Sequence, residues 1–339
     1  MINGDWSSDV CSSDLIQSSH HFMLTLFASF ALSVYFQPHE EKSFLSWMRS
    51  SNNFYTGDEY QLRFGIWLSN SRLVQEHNKE HDFQLEMNKF ASYTPAEYSA
   101  LLGFKPQARF ADNAVMSKFV ADDELDYRLK GVVNEVKDQG SCGSCWAFST
   151  IQAVESAYAL KTGKLLSLSE QNLVDCATEC NGCNGGLMDA ALNYVINNQG
   201  GKFNTESDYP YKGSTRHKKC KFDSKKAVAS VSKYINVVYG KEDDLQAKIS
   251  QYGPAAIAID ASHYSFQLYS KGIYDEKRCS TSNLDHAVGC VGYGSENGKN
   301  YWIVRNSWGD SWGEKGYIRM IKGKNNKCGI ASMALVVIP

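Results

Sequence analysis

Residues 139–146 constrain this 339-residue chain more than any other part of it. The segment has the sequence Gln-Gly-Ser-Cys-Gly-Ser-Cys-Trp, and a helical pattern of apolar residues starts at Cys145 and runs to about Lys161. The start of a helix carries unpaired N–H groups and a partial positive charge, which favour the thiolate form of a cysteine. The segment therefore predicts a nucleophilic Cys145 at a helix start, with Gln139 as a candidate oxyanion donor.

Two further motifs lie far downstream of this cysteine. In Asp285-His286 the histidine comes 141 residues after Cys145, and the run Asn306-Ser307-Trp308-Gly309 starts 20 residues later. An imidazolium stabilises a thiolate and can protonate the leaving amine of a cleaved amide. Taken singly, a histidine is more often structural. The cysteine pairs at 142/145 and 180/183 also allow a zinc site. The order and number of the motifs favour catalysis over either alternative.

Together these motifs resemble the papain superfamily of cysteine peptidases, and within it the cathepsin L-like members. The resemblance implies an α+β, papain-like fold of two lobes, a helical N-terminal lobe and a β-barrel-like C-terminal lobe, with the active site in the cleft between them. It implies the catalytic residues Cys145, His286, Asn306 and Gln139. Asn306 would hold the imidazole, Trp308 would shield that hydrogen bond from water, and Gln139 with the N–H of Cys145 would form the oxyanion hole.

A long helical pattern precedes the peptidase-like region. Six residues step by three or four along it and share one face, although four of them are polar: Glu59, Arg63, Trp67, Asn70, Val74 and Asn78. The set resembles the ERFNIN pattern of cathepsin L-type propeptides. It predicts an inhibitory, I29-like propeptide over residues 37–120 and a papain-like peptidase domain over residues 121–339. Residues 109–123 lack a strong pattern and indicate a linker open to proteolysis.

A second propeptide motif is altered in this chain. Residues 86–92 resemble G-x-N-x-F-x-D, but Glu86 replaces its glycine and Ser92 its aspartate. If that aspartate helps such propeptides to sense acid, the acid-sensing group of this chain must be a different residue. The resemblance further implies that residues 92–103 cross the cleft over Gly185 and Gly186, in the direction opposite to a substrate. Arg63 would hold the propeptide helix by pairing with Glu59 or another buried acid.

The first 36 residues do not resemble part of the fold. Residues 1–22 contain no Lys or Arg and resemble translated sequencing adapter, so they are interpreted as a non-native leader. Residues 23–36 are largely apolar but shorter than the roughly 20 residues that span a membrane. They predict a signal peptide instead.

Charge and cysteine placement restrict the partners and the compartment. The chain has 35 basic and 37 acidic residues, a net charge of −2, which argues against a nucleic-acid partner held through phosphates. Nine of its ten cysteines follow residue 141, which favours an oxidising, secreted or lysosomal (vacuolar) location. The expected partners are protein and peptide substrates, the chain's own propeptide and cystatin-like inhibitors. A monomer without cofactor, metal or stable membrane insertion is expected.

The resemblance also selects a disulfide pattern, which spacing alone leaves open. The family bridges correspond to Cys142–Cys183, Cys176–Cys220 and Cys279–Cys328. Cys180 and Cys290 are left free. Cys180 departs from the common cathepsin L pattern. With Cys183 it forms a Cys-X-X-Cys sequence that is similar to one in trichomonad-like members.

Substrate contacts follow from the same resemblance. Gly185 and Gly186 would bind the substrate backbone as an extended strand, because no side chain blocks its approach. Asp285 and Trp308 belong to the same substrate-binding set. Six apolar residues would line the pocket for the side chain second from the scissile bond: Leu187, Met188, Ala258, Leu284, Ala287 and Met333. The single His217 between Cys176 and Cys220 lacks the partner of a cathepsin B occluding loop, which favours internal cleavage.

Two other functional classes compete with an endopeptidase. A catalytically silent, binding or inhibitory relative usually loses its nucleophile, whereas this chain keeps Cys145, His286, Asn306 and Gln139. An acyl or amide transferase, such as a transglutaminase, uses the same Cys-His chemistry. It would leave the propeptide helix unexplained.

Overall fold

The computed structural model describes residues 36–105, 114–215 and 219–339. Contacts divide the chain after Phe36, and the unit Gln37–Pro339 contains all the elements given below. The predicted leader and, apart from Phe36, the predicted signal peptide lie outside the described residues. His217 lies outside them as well. No helix within the described ranges is long and apolar enough to cross a membrane.

The described residues form eight α-helices: α1 (Pro38–Ser50), α2 (Gly57–Glu80), α3 (Pro95–Leu101), α4 (Cys145–Thr162), α5 (Glu170–Cys176), α6 (Met188–Asn198), α7 (Glu242–Tyr252) and α8 (Tyr264–Gln267). The predicted helix from Cys145 to about Lys161 is confirmed as α4. It ends where Gly163 takes a left-handed conformation, with φ 73°, which a residue without a Cβ adopts at little cost.

Strands dominate the second half of the chain. The larger sheet has the strand order β5 (Lys233–Asn236), β12 (Ala334–Ile338), β6 (Ala255–Ile259), β9 (His286–Glu296), β10 (Lys299–Arg305), β11 (Tyr317–Ile321) and β8 (Ile273–Tyr274), with β2 (Leu125–Asp126) paired to β9. Two small sheets pair β1 (Gln84–Leu85) with β7 (Tyr269–Lys271), and β3 (Lys202–Phe203) with β4 (Ala229–Ser230). The predicted strands near residues 255, 287, 301 and 316 are β6, β9, β10 and β11.

Two apolar cores correspond to the two expected lobes. One lies around α4, α5 and α6 and includes the buried Trp146, Leu173 and Leu192. The other fills the sheet lobe around Trp302 and Trp312 and continues into the N-terminal helices. The helices-first, strands-later order thus produces the expected α+β, two-lobe, papain-like fold.

Aromatic packing joins the first two helices. Phe44 of α1 is fully buried, and its ring centroid lies 5.3 Å from Phe64 and 5.5 Å from Trp67 of α2. Trp67 also lies 6.4 Å from Trp47. Aromatic pairs at these distances add to the free energy gained by burial. The aromatic member of the predicted helix face is therefore a core residue.

The polar members of that helix face bind the backbone of residues 84–92, which runs back along α2 and is called the returning segment below. Asn70 donates to the carbonyl of Ala91 at 2.8 Å. Asn78 exchanges two hydrogen bonds with the backbone of Leu85, at 2.9 and 2.8 Å. These contacts explain why amides occupy an otherwise buried helix face, since each one satisfies backbone groups that would lose water.

Arg63 has a different main partner from the one first expected. Its guanidinium makes two hydrogen bonds to Glu97 of α3, one at 2.6 Å, while Glu59 lies 3.4 Å away. It also donates to the carbonyl of Ser92 at 3.0 Å. Glu97 is partly exposed rather than buried, and it also caps the start of α3 by bonding to Thr94.

The returning segment docks on the sheet lobe through its backbone. Strand β1 pairs antiparallel with β7, and the N–H of Glu86 donates to the carbonyl of Leu268 at 2.8 Å. Asn88 donates to the carbonyl of Gln267 at 2.9 Å, and the side chain of Gln267 donates back to Phe90 at 2.8 Å. This docking places the following helix, α3, at the mouth of the cleft.

Candidate active site

Cys145 lies at the first position of α4, under a rigid loop. Ser144 precedes the helix, and its hydroxyl lies 2.6 Å from that of Tyr211. The N–H of Gly143 donates to the carbonyl of Cys183 at 2.9 Å, close to the Cys142–Cys183 disulfide. The helix start is thus fixed from both sides, and the N–H of Trp146 in its first turn donates to the sulfur of Cys145.

His286 and Asn306 meet because their strands are neighbours. His286 opens β9, Asn306 follows β10, and the two strands pair antiparallel. The Oδ1 of Asn306 lies 2.8 Å from the Nε2 of His286 and also accepts from the N–H of Ser307 at 2.8 Å. An oxygen accepts here, so His286 carries its proton on Nε2. Its Nδ1 is left as the basic nitrogen, and no protein group within the described residues bonds to it.

The sulfur of Cys145 lies beside the start of β9. The N–H of Ala287, the residue after His286, donates to Sγ at 3.4 Å. Both Cys145 and His286 are fully buried. This contact brings the two predicted reactive residues to one point between the lobes.

Trp308 closes one side of the histidine. Its ring stacks on the imidazole with 4.8 Å between centroids, and only 1% of the residue is exposed. Phe90 and Tyr98 from the N-terminal segment cover its other edges, at 5.0 and 5.9 Å. Trp308 thus lies where it was predicted to lie, against the imidazole that bonds to Asn306.

Gln139 is locked with its NH₂ group toward the cleft. Its Oε1 accepts from the hydroxyl of Ser307 at 2.7 Å. Its Nε2 donates to the carbonyls of Cys142 and Leu101, at 2.8 and 2.9 Å. Leu101 belongs to α3, so the candidate oxyanion donor already holds a carbonyl oxygen of the N-terminal segment.

The N-terminal segment fills the cleft as an extended strand. The N–H of Gly186 donates to Gly103 at 2.9 Å, and the N–H of Lys105 donates to Gly186 at 3.4 Å. The N–H of Phe104 donates to the carbonyl of Asp285 at 3.0 Å, and Phe104 bridges Gly186 in parallel. The crossing was expected over residues 92–103. The actual contact strand is 103–105, because residues 95–101 form α3.

Phe104 is buried among the apolar residues of the helical lobe. Its apolar cluster includes four of the six residues assigned to the pocket, Met188, Ala258, Leu284 and Ala287, and the other two, Leu187 and Met333, pack against it. Gly185 approaches the same strand so closely that a Cβ there would lie 2.7 Å from the carbonyl oxygen of Gly103. The chain itself thus makes backbone contacts with Gly186 and Asp285, two residues predicted to bind substrate.

Burial keeps the reactive pair neutral in this state. It raises the pKa of the Cys145 thiol to about 12, against hydrogen bonds from the N–H groups of Ala287, Gly103 and Trp146. Burial also lowers the pKa of His286 to about 4, while Asn306 opposes this shift. The lowered thiol pKa expected from the helix start and the imidazolium therefore does not apply to the covered site, where desolvation is the largest effect on both groups.

Asp285 supplies a backbone contact and a partly buried carboxyl group. Burial raises the pKa of this carboxyl to about 7, although the N–H of Ala261 donates to it at 2.8 Å. It lines a cavity of about 810 Å³ between α2, α3 and the sheet lobe, near Phe104 and Gln267.

The three predicted disulfides are present, at Cys142–Cys183, Cys176–Cys220 and Cys279–Cys328. The zinc alternative is wrong, since Cys142 and Cys183 are bonded to each other. The free thiols within the described residues are those of Cys145, Cys180 and Cys290, and all three are buried.

Some contacts of the site were not predicted. The side chain of Ser307 orients Gln139, and the N–H of Ala287 binds the sulfur. Leu101 lies within residues 92–103, which were predicted to cross the cleft, but its contact with Gln139 was not predicted, and Phe104 lies one residue beyond that segment. Ser307 lies in the motif after Asn306, which was a signal of its importance. The other contacts depend on tertiary placement alone.

Comparison with known proteins identifies the family. Residues 121–338 match the papain family of cysteine proteases, and residues 44–98 match the cathepsin propeptide inhibitor domain (I29). The chain belongs to the papain family of cysteine proteases and carries a cathepsin propeptide. It is thus an enzyme of the cysteine protease class, not a transglutaminase-type transferase.

Its relatives include several digestive and cathepsin L-like proteins. The chain is 44% identical over 290 residues to digestive cysteine proteinase 1 of Homarus americanus, covering 82% of this chain and 88% of the lobster protein. It is 44% identical over 293 residues to a cathepsin L-like protein of Caenorhabditis elegans, covering 81% and 85% of the two chains. Digestive procathepsin L 3 of Tenebrio molitor superimposes with a TM-score of 0.81 at 37% identity, over 89% of this chain and 100% of that one.

Proposed function

We propose that the chain is the autoinhibited precursor of a cysteine endopeptidase that acts through a thiolate–imidazolium pair of Cys145 and His286. One observation carries the proposal: Asn306 fixes the proton of His286 on Nε2 and leaves Nδ1 as a free base, while the N–H of the next residue, Ala287, donates to the sulfur of Cys145. A base with one nitrogen anchored and the other free is the arrangement that activates a nucleophilic thiol.

The reaction follows from these positions once the cleft is open. Water then reaches the pair, the desolvation that holds both groups neutral is relieved, and the proton of Cys145 moves to Nδ1 of His286. The thiolate attacks the peptide carbonyl, and Gln139 with the N–H of Cys145 stabilises the oxyanion. Loss of one such donor costs about 3 kcal/mol in serine enzymes. His286 then protonates the leaving amine, and water hydrolyses the thioester.

Substrate preference follows from the pocket that Phe104 fills. Gly185, Gly186 and the carbonyl of Asp285 would bind an extended substrate through its backbone. The six apolar residues around Phe104 favour Phe, Leu or Val at the position second from the scissile bond, since burial of such a side chain gains roughly 1.5–3 kcal/mol. A charged side chain would lose its hydration there without a partner.

The precursor organisation completes the proposal. Residues 37–120 would act as the inhibitory propeptide and residues 121–339 as the peptidase domain. The partners would be protein and peptide substrates, the propeptide and cystatin-like inhibitors, and the enzyme would work as a monomer. The disulfides and the digestive or cathepsin L-like relatives support a secreted or lysosomal location.

Turnover of a dipeptidyl fluorogenic amide tests this function. The acidified precursor should cleave amides with Phe or Leu second from the scissile bond, and an epoxide thiol inhibitor should stop the reaction. Cys145→Ser should abolish turnover and leave the precursor folded, because an alcohol is not ionised by these neighbours. Activity of Cys145→Ser above about 1% of the parent would exclude Cys145 as the nucleophile.

A further inference from the structure

The segment that joins the propeptide to the peptidase domain exposes an unusual number of apolar side chains. Residues 114–124 lie outside helices and strands. Four apolar residues of this segment are exposed, to the following fractions: Val115 78%, Met116 46%, Phe119 45% and Val120 89%. Apolar side chains in an exposed, irregular segment are accessible to the cleft of a protease.

The amino-terminal part of the segment is tied to α7. The N–H of Ser117 donates to the fully buried carboxylate of Asp244 at 2.7 Å, and its hydroxyl lies 3.2 Å from Gln251. The ammonium group of Lys248 donates to the carbonyl of Val115 at 3.0 Å. The peptide group between Met116 and Ser117 is thus held by a charge-assisted hydrogen bond, which resists extraction into a cleft.

A second anchor lies a few residues further on. The carbonyl of Asp122 accepts from the hydroxyl of Tyr293 and from the side chain of Gln246, both at 3.0 Å. Strand β2 then joins the large sheet. Between the anchors, the N–H of Phe119 donates to the hydroxyl of Ser117 at 3.1 Å. Within the described part of the chain, no hydrogen bond involves the backbone of Val120 or Ala121.

We propose that maturation cuts the peptide bond between Val120 and Ala121, with Phe119 bound in the apolar pocket that Phe104 occupies in the precursor. This inference rests on the proposed function, which assigns that pocket to the side chain second from the scissile bond. The released chain would begin at residue 121, where the match to the papain family also begins.

Neighbouring bonds fit less well. Cleavage between Met116 and Ser117 would put Val115 in the pocket, but Asp244 holds the N–H of that bond. Cleavage between Ala121 and Asp122 would put Val120 there and require release of the anchored Asp122. Phe119 offers a larger apolar area than either valine, and it is the same residue type as Phe104.

The cut has to be made by another molecule or after the propeptide has left, because residues 103–105 occupy the chain's own cleft. In the open cleft of a second copy, the thiolate of Cys145 bonds to the carbonyl carbon of Val120. The C–N bond to Ala121 breaks, and the leaving amine takes its proton from His286. Water then hydrolyses the thioester, which yields the carboxylate of Val120 and restores the thiol.

The test uses full-length precursor carrying Cys145→Ala as the substrate and active mature enzyme as the protease. Intact mass and N-terminal sequencing at mildly acid pH should give a product that begins at Ala121. In the same background, Phe119→Asp should slow formation of this product at least ~10-fold, the lower end of what pocket contacts discriminate. The Phe119→Leu variant, which keeps an apolar side chain, should form this product at close to the parental rate.

Val115→Asp is the matched control, since it places the same charge on another exposed apolar residue of the segment, outside the proposed bond. It should leave the rate unchanged. A product that begins at Ser117 or Asp122, or equal rates for Phe119→Asp and Val115→Asp, would overturn the assignment. Cleavage of a fluorogenic amide with Phe second from the scissile bond separates the two proposals. If that amide is cut and the linker bond is not, the linker assignment alone fails; if it is not cut, the proposed function fails.

Discussion

The side-chain amide of Gln139 donates a hydrogen bond to the carbonyl oxygen of Leu101 at 2.9 Å. The propeptide therefore places a carbonyl oxygen on the group that the proposed mechanism assigns to the oxyanion. Two residues further on, Gly103 pairs with the strand that would bind substrate. Variants that disturb only the propeptide should accordingly activate the precursor without changing the chemistry of the mature enzyme.

The rate at which Cys145 is alkylated should show whether the propeptide covers the cleft. Denatured precursor should show alkylation at Cys145, Cys180 and Cys290, because the other cysteines of the described residues are in disulfides. Native precursor should resist iodoacetamide at Cys145, whose pKa burial raises to about 12. Mature enzyme should label rapidly at Cys145 alone. Mass spectrometry of the alkylated peptides measures this, and rapid labelling of Cys145 in the precursor would contradict the covered state.

Arg63→Ala should loosen the propeptide. The variant loses two hydrogen bonds to Glu97 and one to Ser92, a set worth about 1–3 kcal/mol because Glu97 is partly exposed to water. Self-processing should become at least ~5-fold faster at a pH where the parent stays latent, since 1 kcal/mol corresponds to about that factor. The time course of precursor loss on gels measures it.

Arg72→Ala is the matched control for Arg63→Ala. Arg72 lies on the same helix and pairs with Glu40, but its side chain is half exposed. Pairs of this kind contribute about 0–1 kcal/mol. If both variants process at the parental rate, the Arg63–Glu97 pair does not anchor the propeptide.

Acid should weaken propeptide docking through His77. Its ring stacks on that of His81 with 4.0 Å between centroids, and burial and His81 lower the pKa of His77 from the usual 6.5. The docked state then binds fewer protons than the undocked state between that lowered pKa and about 6.5. Docking stability is therefore present above this window and lost as pH falls through it. This provides an acid response in a chain that has Ser92 in place of the motif's aspartate.

Thermal unfolding of Cys145→Ala precursor between pH 7 and 5 measures this response. His77→Phe keeps an aromatic ring against Phe83 and removes the titrating group, so its melting temperature should fall less over this range than the parent's. His77 and His81 line a small cavity together with four charged residues of the sheet lobe: Asp275, Glu276, Lys277 and Arg278. Of these, Glu276 favours protonation of His77. An unchanged pH slope in His77→Phe would assign the acid response to other groups.

Local pattern was sufficient for two long helices and four strands but not for the partners of their side chains. The start of α4 at Cys145 and the strands β9 and β10, at the ends of which His286 and Asn306 lie, follow from periodicity and turn residues. The disulfide pairs required the family resemblance, because spacing allows many pairings. The Arg63–Glu97 pair joins residues 34 positions apart, and no local signal links them.

The protonation of Cys145 and the exact residues that cover it were harder to predict than the identity of the site residues. A helix start and a neighbouring imidazole predict a lowered pKa for Cys145, but the propeptide removes water from the pair and burial raises it. The exact contact strand, residues 103–105, depends on where α3 ends at Leu101. Helix ends shift by one or two residues with tertiary contacts, so the sequence located the crossing only approximately.

Gly103→Ala should release the inhibition more strongly than any change on α2. A Cβ at residue 103 would lie 1.9 Å from the carbonyl oxygen of Gly143 and 2.3 Å from its carbon. Both are backbone atoms, and Gly143 is held by its hydrogen bond to Cys183, so the loop cannot yield. The propeptide has to leave the cleft instead. Unprocessed Gly103→Ala precursor should cleave a fluorogenic amide at a pH where the parent is silent.

Gly65→Ala is the control for that substitution. Gly65 lies within α2, and a Cβ there would meet nothing within 4 Å. Alanine in a helix interior should stabilise the propeptide by about 0.5–1 kcal/mol, because it restricts the unfolded chain. Gly65→Ala precursor should stay latent, whereas Gly103→Ala in the Cys145→Ala background should melt at a lower temperature. If Gly103→Ala is as silent and as stable as Gly65→Ala, the close approach of residue 103 to Gly143 is not what keeps the cleft closed.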